Sequence, residues 1–134
     1  MAETTAQPEL ARLPPAQAPP YVAPAIEGAG ESLLRSRAIS EFDLRQRLAE
    51  GDRITRVVVV EIAATADYVA YLRFAGTSRA GYCLLALRKY EGARAWSDFR
   101  TLRRAVAGWG YPGPLMVYPE NHPRLAWLGI GVPD

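Results

Sequence analysis

The chain has one cysteine and one histidine among 134 residues, so the side chains able to act as nucleophile, base or soft metal ligand are few. An activated Ser or Cys needs a base within hydrogen-bond reach, held in turn by a third group. Cys83 sits in Tyr82-Cys83-Leu84-Leu85, an apolar run in which a thiol reads as a small buried hydrophobe. His122 lies between Asn121 and Pro123 in a turn, with no carboxylate at triad or ligand spacing. Glu61 and Asp67 are lone carboxylates that nothing in the spacing pairs. One Cys and one His also exclude a disulfide framework and a Cys/His zinc cage built from this chain alone. Gly76-Thr77-Ser78-Arg79-Ala80-Gly81 offers glycines, hydroxyls and an arginine. It lacks the Gly-Lys-Ser/Thr ending of a phosphate loop and opens no helix. The sequence therefore assigns no catalytic residue, no metal site and no cofactor, and a non-enzymatic protein is expected.

What remains is surface chemistry. Strand alternation sets Tyr71 and Arg73 on one face of a middle strand and Tyr82, Arg88 and Tyr90 on one face of the next. If these faces coincide and stay open, Tyr71, Arg73, Arg88 and Tyr90, with Arg79 at the hairpin tip, make an aromatic and arginine surface. Such a surface suits a protein partner, or bases of a single strand. The plainer reading is that the helix of residues 40–50 covers this face and the tyrosines are core. A second set, Arg100, Arg103 and Arg104 on a late helix with Arg94 just upstream, could contact phosphates. A solvated helix face is the plainer reading there. Fifteen arginines against one lysine also point to coding bias, so their number alone says little.

The elements that must position these residues follow from pattern. Six of the eleven prolines precede Ala25, so residues 1–30 read as a disordered Pro/Ala-rich tail, with Pro19-Pro20-Tyr21-Val22 as a candidate docking segment. Residues 31–134 read as a single domain with 15 basic and 11 acidic residues. A short helix over 32–37 leads into a better marked one, capped by Ser40, with Glu41 and Asp43 in its first turn, Ile39 stapled to Leu44, and Gly51 as its stop. Residues 54–62 are β-branched almost throughout and read as a strand buried on both faces. Residues 68–74 and 82–90 add two strands, and short links make the three an antiparallel meander. Ser97 is the expected cap of a helix with Phe99, Leu102, Val106 and Trp109 on one stripe, ended by Gly108 and Gly110. Residues 115–118 form a short strand, and 125–130 a last edge strand or extended tail. The fold expected is α+β: a small antiparallel sheet with the 99–109 helix on one face and the 40–50 helix at its edge or opposite face.

From Leu87-Arg88-Lys89-Tyr90-Glu91-Gly92 through Arg94-Ala95-Trp96-Ser97-Asp98-Phe99 to Val117, a strand leads through an arginine and an aromatic into a helix that stops at glycine before a last strand. This arrangement resembles small accessory proteins of plasmids and integrative elements, such as the ParC-type partition-associated proteins. The resemblance implies a non-enzymatic role in plasmid maintenance or transfer, exerted by binding another macromolecule; the reading favoured is a protein partner, in maintenance, partition or transfer control. Direct DNA or RNA binding through the helix arginines and sheet aromatics is the alternative. The formal charge of +2 is far from that of a strongly basic nucleic-acid binder. No apolar run is long enough to span a bilayer and no signal-like start is seen, so the expected location is cytoplasmic, without membrane contact.

Overall fold

A computed structural model describes residues 21–22, 37–76, 81–87 and 93–130. Their elements run β1 (Tyr21–Val22), β2 (Arg37–Ser40), α1 (Glu41–Ala49), β3 (Ile54–Glu61), β4 (Tyr68–Phe74), β5 (Cys83–Ala86), β6 (Ala95–Trp96), α2 (Phe99–Gly108), β7 (Leu115–Pro119) and α3 (Arg124–Trp127). The fold is α+β, on one mixed sheet of order β1-β2-β5-β4-β3-β7. The expected meander is present, since β3, β4 and β5 pair antiparallel. The sheet is wider than expected and not purely antiparallel: β2 joins β5 in parallel and β7 joins β3 in parallel.

β3 is the centre of the molecule. Val57, Val58, Val59 and Val60 are all fully buried, alternating between two apolar layers, as an unbroken β-branched run requires. Burying each such side chain contributes about 1.5–3 kcal/mol. One layer holds Val57, Val59, Ala70, Leu72 and Phe74 with Leu44 of α1 and Leu102 and Val106 of α2. Both helices therefore cover the same face, rather than opposite faces or an edge. The other layer holds Val58, Val60, Val69, Tyr71, Tyr82 and Leu84, and packs on Leu125 and Ile130 from the C-terminal segment.

Local signals explain where the helices begin and end. Ser40 Oγ accepts the Asp43 N–H at 3.1 Å, and Ile39 and Leu44 are buried in one cluster, as the staple spacing predicts. Gly51 turns the chain out of α1 at φ +99°, a conformation an L side chain adopts only with strain. α2 is capped by Asp98 instead of Ser97: Asp98 Oδ1 accepts the Arg100 N–H at 2.9 Å. Its stripe is as expected, with Leu102 and Val106 buried and Phe99 and Trp109 packed against the same layer. The expected last strand is a helical turn, α3. His122 Nδ1 accepts the Arg124 N–H at 3.0 Å at its start, and Leu125 and Ile130 fall on one buried side, which no strand alternation would give. The segment expected as helix over 32–37 ends in a strand residue, Arg37, and the rest of it lies outside the described residues, as does most of 1–30. Within that tail, Tyr21–Val22 pairs antiparallel with Arg37 and Ala38. The strand expected over 82–90 is β5 alone, and 88–90 lie outside the described residues. β6 then resumes on the same side of β4, and an Ala86–Ala93 bridge closes the base between them.

Among the described residues no helix is long and apolar enough to cross a membrane.

The link from α1 to β3 is held by a charge. Arg47 is 7% exposed, and both its Nε and Nη2 donate to Asp52 Oδ2, at 3.1 and 2.9 Å, while its guanidinium lies 4.0 Å from the centre of the Phe74 ring. Asp52 Oδ1 accepts the N–H groups of Arg53 and Gly76, each at 2.8 Å. Burial by itself raises the Asp52 carboxyl, but the Arg53 and Gly76 N–H groups and the Arg47 guanidinium outweigh it and hold the group below its ordinary range. A depressed folded pKa gives stability that is complete above about pH 4 and lost as pH falls through the folded value. The difference in urea midpoint between the wild type and Asp52→Asn is therefore expected to be large at pH 6 and smaller at pH 3. An equal difference at both values would contradict the assignment. Leu102→Ala, which empties part of the layer under α2, is expected to cost about 2–5 kcal/mol in urea unfolding.

Candidate functional site

The parallel pairing of β7 with β3 brings the starts of both strands to one end of the sheet. There a cleft of about 680 Å³ opens between residues 53–56 and residues 110–116. One wall is basic and polar: Arg53, Thr55 and Arg56. The other is mostly apolar: Tyr111, Pro112, Gly113, Pro114 and Met116.

A register shift in β3 shapes the first wall. The pairing with β4 skips between Ile54 and Arg56, which is a β-bulge. Ile54 and Val57 are both buried in the layer under α1 and α2, although residues three apart in a regular strand face opposite ways. The extra residue reconciles this and leaves Thr55 and Arg56 both exposed. Thr55 Oγ1 donates to Arg73 O at 3.2 Å across the strands, which pins the bulge. Arg56 is the direct cross-strand partner of Arg73. Two cations placed opposite each other repel unless an anion lies between them. Among the described residues, none of Arg53, Arg56 and Arg73 makes an ion pair, so their charge is not neutralised within this part of the fold.

The second wall is rigid. Gly110, at φ +88°, turns the chain out of α2. Tyr111 is 9% exposed, and its hydroxyl donates to Pro114 O at 2.8 Å. A Cβ at Gly113 would stand 2.6 Å from the Tyr111 hydroxyl oxygen and 2.7 Å from its ring, so only glycine lets the Pro112-Gly113-Pro114 segment close over that ring. Pro112 and Pro114 fix two of the intervening φ angles.

The residues expected to form contacts fall in different places. Tyr71 is 1% exposed and belongs to the inner layer with Tyr82, so the two tyrosines do share a face, but a buried one. The cover is not the helix of residues 40–50; the described elements packed there are Leu125, Leu128 and Ile130. Tyr71 is thus corrected from a surface contact to a core residue. Arg73 is partly exposed and joins Arg56 beside the cleft. Arg79, Arg88 and Tyr90 lie outside the described residues. Arg94 is partly buried, stacked 4.8 Å from the Trp96 ring centre, with its N–H on Leu85 O. It does not stand with the exposed Arg100, Arg103 and Arg104. Those three lie off the buried Leu102 and Val106 stripe, and Arg100 is 3.8 Å from Asp98.

Arg53 and Arg56 were not legible as a pair. Regular alternation would send them to opposite faces, and the only hint was two arginines bracketing Ile54-Thr55 at the head of an apolar strand. Cys83 is partly buried beside the core, and burial pushes its thiol up, away from the reactive thiolate. His122 is exposed, its ring 4.8 Å from that of Tyr118 and its Nδ1 occupied by the Arg124 N–H. Among the described residues no group of three His, Cys, Asp or Glu side chains could hold a metal ion. Comparison with protein-family models, with curated proteins and with solved structures gave no match, so the site is characterised by its own chemistry alone.

Proposed function

We propose that this chain is a non-enzymatic accessory protein that acts by stoichiometric contact with an acidic protein partner. The observation that carries this is the group Arg53, Arg56 and Arg73, gathered at one end of the sheet without a neutralising acid among the described residues. Arginine suits such a surface because its planar fork engages carboxylates in two parallel hydrogen bonds and is more weakly hydrated than an ammonium. Trp127 adds an aromatic anchor of the kind concentrated in protein interfaces: it is 85% exposed on α3, while Leu125 of the same turn is buried. Placement of this role in a plasmid or integrative element, as a regulator of maintenance, partition or transfer inside the cell, rests on the resemblance of residues 87–117 alone.

A second reading, direct DNA or RNA binding, is favoured by one observation. Arg100, Arg103 and Arg104 are all exposed on α2. The aromatic half of that reading is weaker, because Tyr71 and Tyr82 are core residues with no face open to a base.

Nuclease treatment and salt separate the two. Affinity capture from host extract with the full chain is expected to retain a protein at a fixed ratio after nuclease digestion, and to lose it with Arg53→Gln/Arg56→Gln/Arg73→Gln. The triple variant Arg100→Gln/Arg103→Gln/Arg104→Gln is expected to capture as the wild type does. Loss of the captured material on nuclease digestion, with affinity for an oligonucleotide falling steeply and linearly in log salt, would favour the second reading instead.

A further inference from the structure

We infer that the cleft between residues 53–56 and 110–116 is a peptide site, and that it takes an extended segment in which acidic and apolar residues alternate. This rests on the reading of the chain as a binder of an acidic protein and names the chemistry of the segment bound. The two walls differ in kind, with Arg53, Thr55 and Arg56 on one side and Tyr111, Pro112, Pro114 and Met116 on the other. A ligand that satisfies both must present negative charge to one side and apolar surface to the other. An extended peptide does this by construction, because successive side chains point to opposite sides.

Spacing agrees. Arg53, just before β3, and Arg56 within it are three positions apart, at most about 10 Å along extended chain, and the bulge shortens this. Two acidic residues at i and i+2 of an extended peptide stand about 7 Å apart, within reach of two flexible arginine side chains. The residue between them then faces the proline and methionine wall. Arg73, opposite Arg56, extends the basic side by one strand for a third acid.

A nucleic acid strand fits less well. Its bases need an open aromatic face, and the aromatic side chain among the described lining residues, Tyr111, is 9% exposed with its hydroxyl committed to Pro114 O. The volume, about 680 Å³, holds a few side chains and not a duplex groove contact.

The test is fluorescence anisotropy of the full chain with two labelled synthetic peptides of one composition. In one, Glu alternates with Val; in the other, the same residues form a Glu block and a Val block. The alternating peptide is expected to bind at least about tenfold more tightly. Arg53→Gln and Arg56→Gln are each expected to weaken it about tenfold, the usual loss for a charge-assisted contact. Met116→Ala, which leaves every charge in place, is expected to weaken it several-fold, and Arg103→Gln on α2 to leave it unchanged. Circular dichroism checks that each variant is folded. Equal affinity for the two peptides, no binding of either, or binding indifferent to Arg53→Gln and Arg56→Gln would overturn the inference. If partner capture nonetheless persisted and still required the arginines, the broader reading would stand without it. Displacement of the peptide by a single-stranded oligonucleotide of equal charge, with the same variants affected, would overturn both.

Discussion

The Asp52 carboxylate is the constraint on which the basic end of the molecule depends. It receives four donors, two from the Arg47 guanidinium and one each from the backbone N–H groups of Arg53 and Gly76, and so uses the full accepting capacity of an ionised carboxylate. Those donors come from the end of α1, the start of β3 and the residues just after β4. One side chain thus fixes how the helix meets the sheet and where β3 begins. Arg47 is only 7% exposed, and a guanidinium so placed is tolerable because its charge is matched by Asp52 and its flat face lies on Phe74. Space is tight on the far side as well: a Cβ on Gly76 would come within 3.0 Å of the carboxylate.

With β3 so anchored, its first residues carry a conflict between two demands. The core requires Ile54 and Val57 on one side, and a regular strand cannot supply that at a spacing of three. The bulge resolves the conflict at the cost of a paired position, and it turns Thr55 and Arg56 outward together. The facing arginine on β4 then makes this end of the sheet strongly cationic. Local packing and local charge are therefore coupled: the residues that satisfy the interior determine which cations face the cleft.

Much of the fold was legible because the signals were local. The Ser40 cap, the Ile39–Leu44 staple, the Gly51 stop, the valine run and the α2 stripe all express interactions within a few residues, and each stands where its pattern puts it. What could not be read depended on distant pairing. The parallel additions of β2 and β7 bring together residues far apart in the chain. Helical side was similarly hidden, since Leu44, stapled to Ile39, says that one side of α1 must be buried but not against which face of the sheet. The 125–130 segment misled because Leu125, Trp127 and Leu128 fit strand and helix alike, and the His122 bond to the Arg124 N–H decides between them. At the site, Arg73 was legible as a partly open position beside Tyr71. Tyr71 itself was not legible as core, because alternation gives the shared face without telling whether anything covers it.

The sheet contains a strand delivered in two halves. β5 and β6 lie along the same side of β4, and the Ala86–Ala93 bridge, with the Arg94 N–H on Leu85 O, seals the point where the chain leaves and returns. Among the described residues the two halves are joined there by one bridge and one N–H donor, so a proline in place of Arg94 would part them at that point.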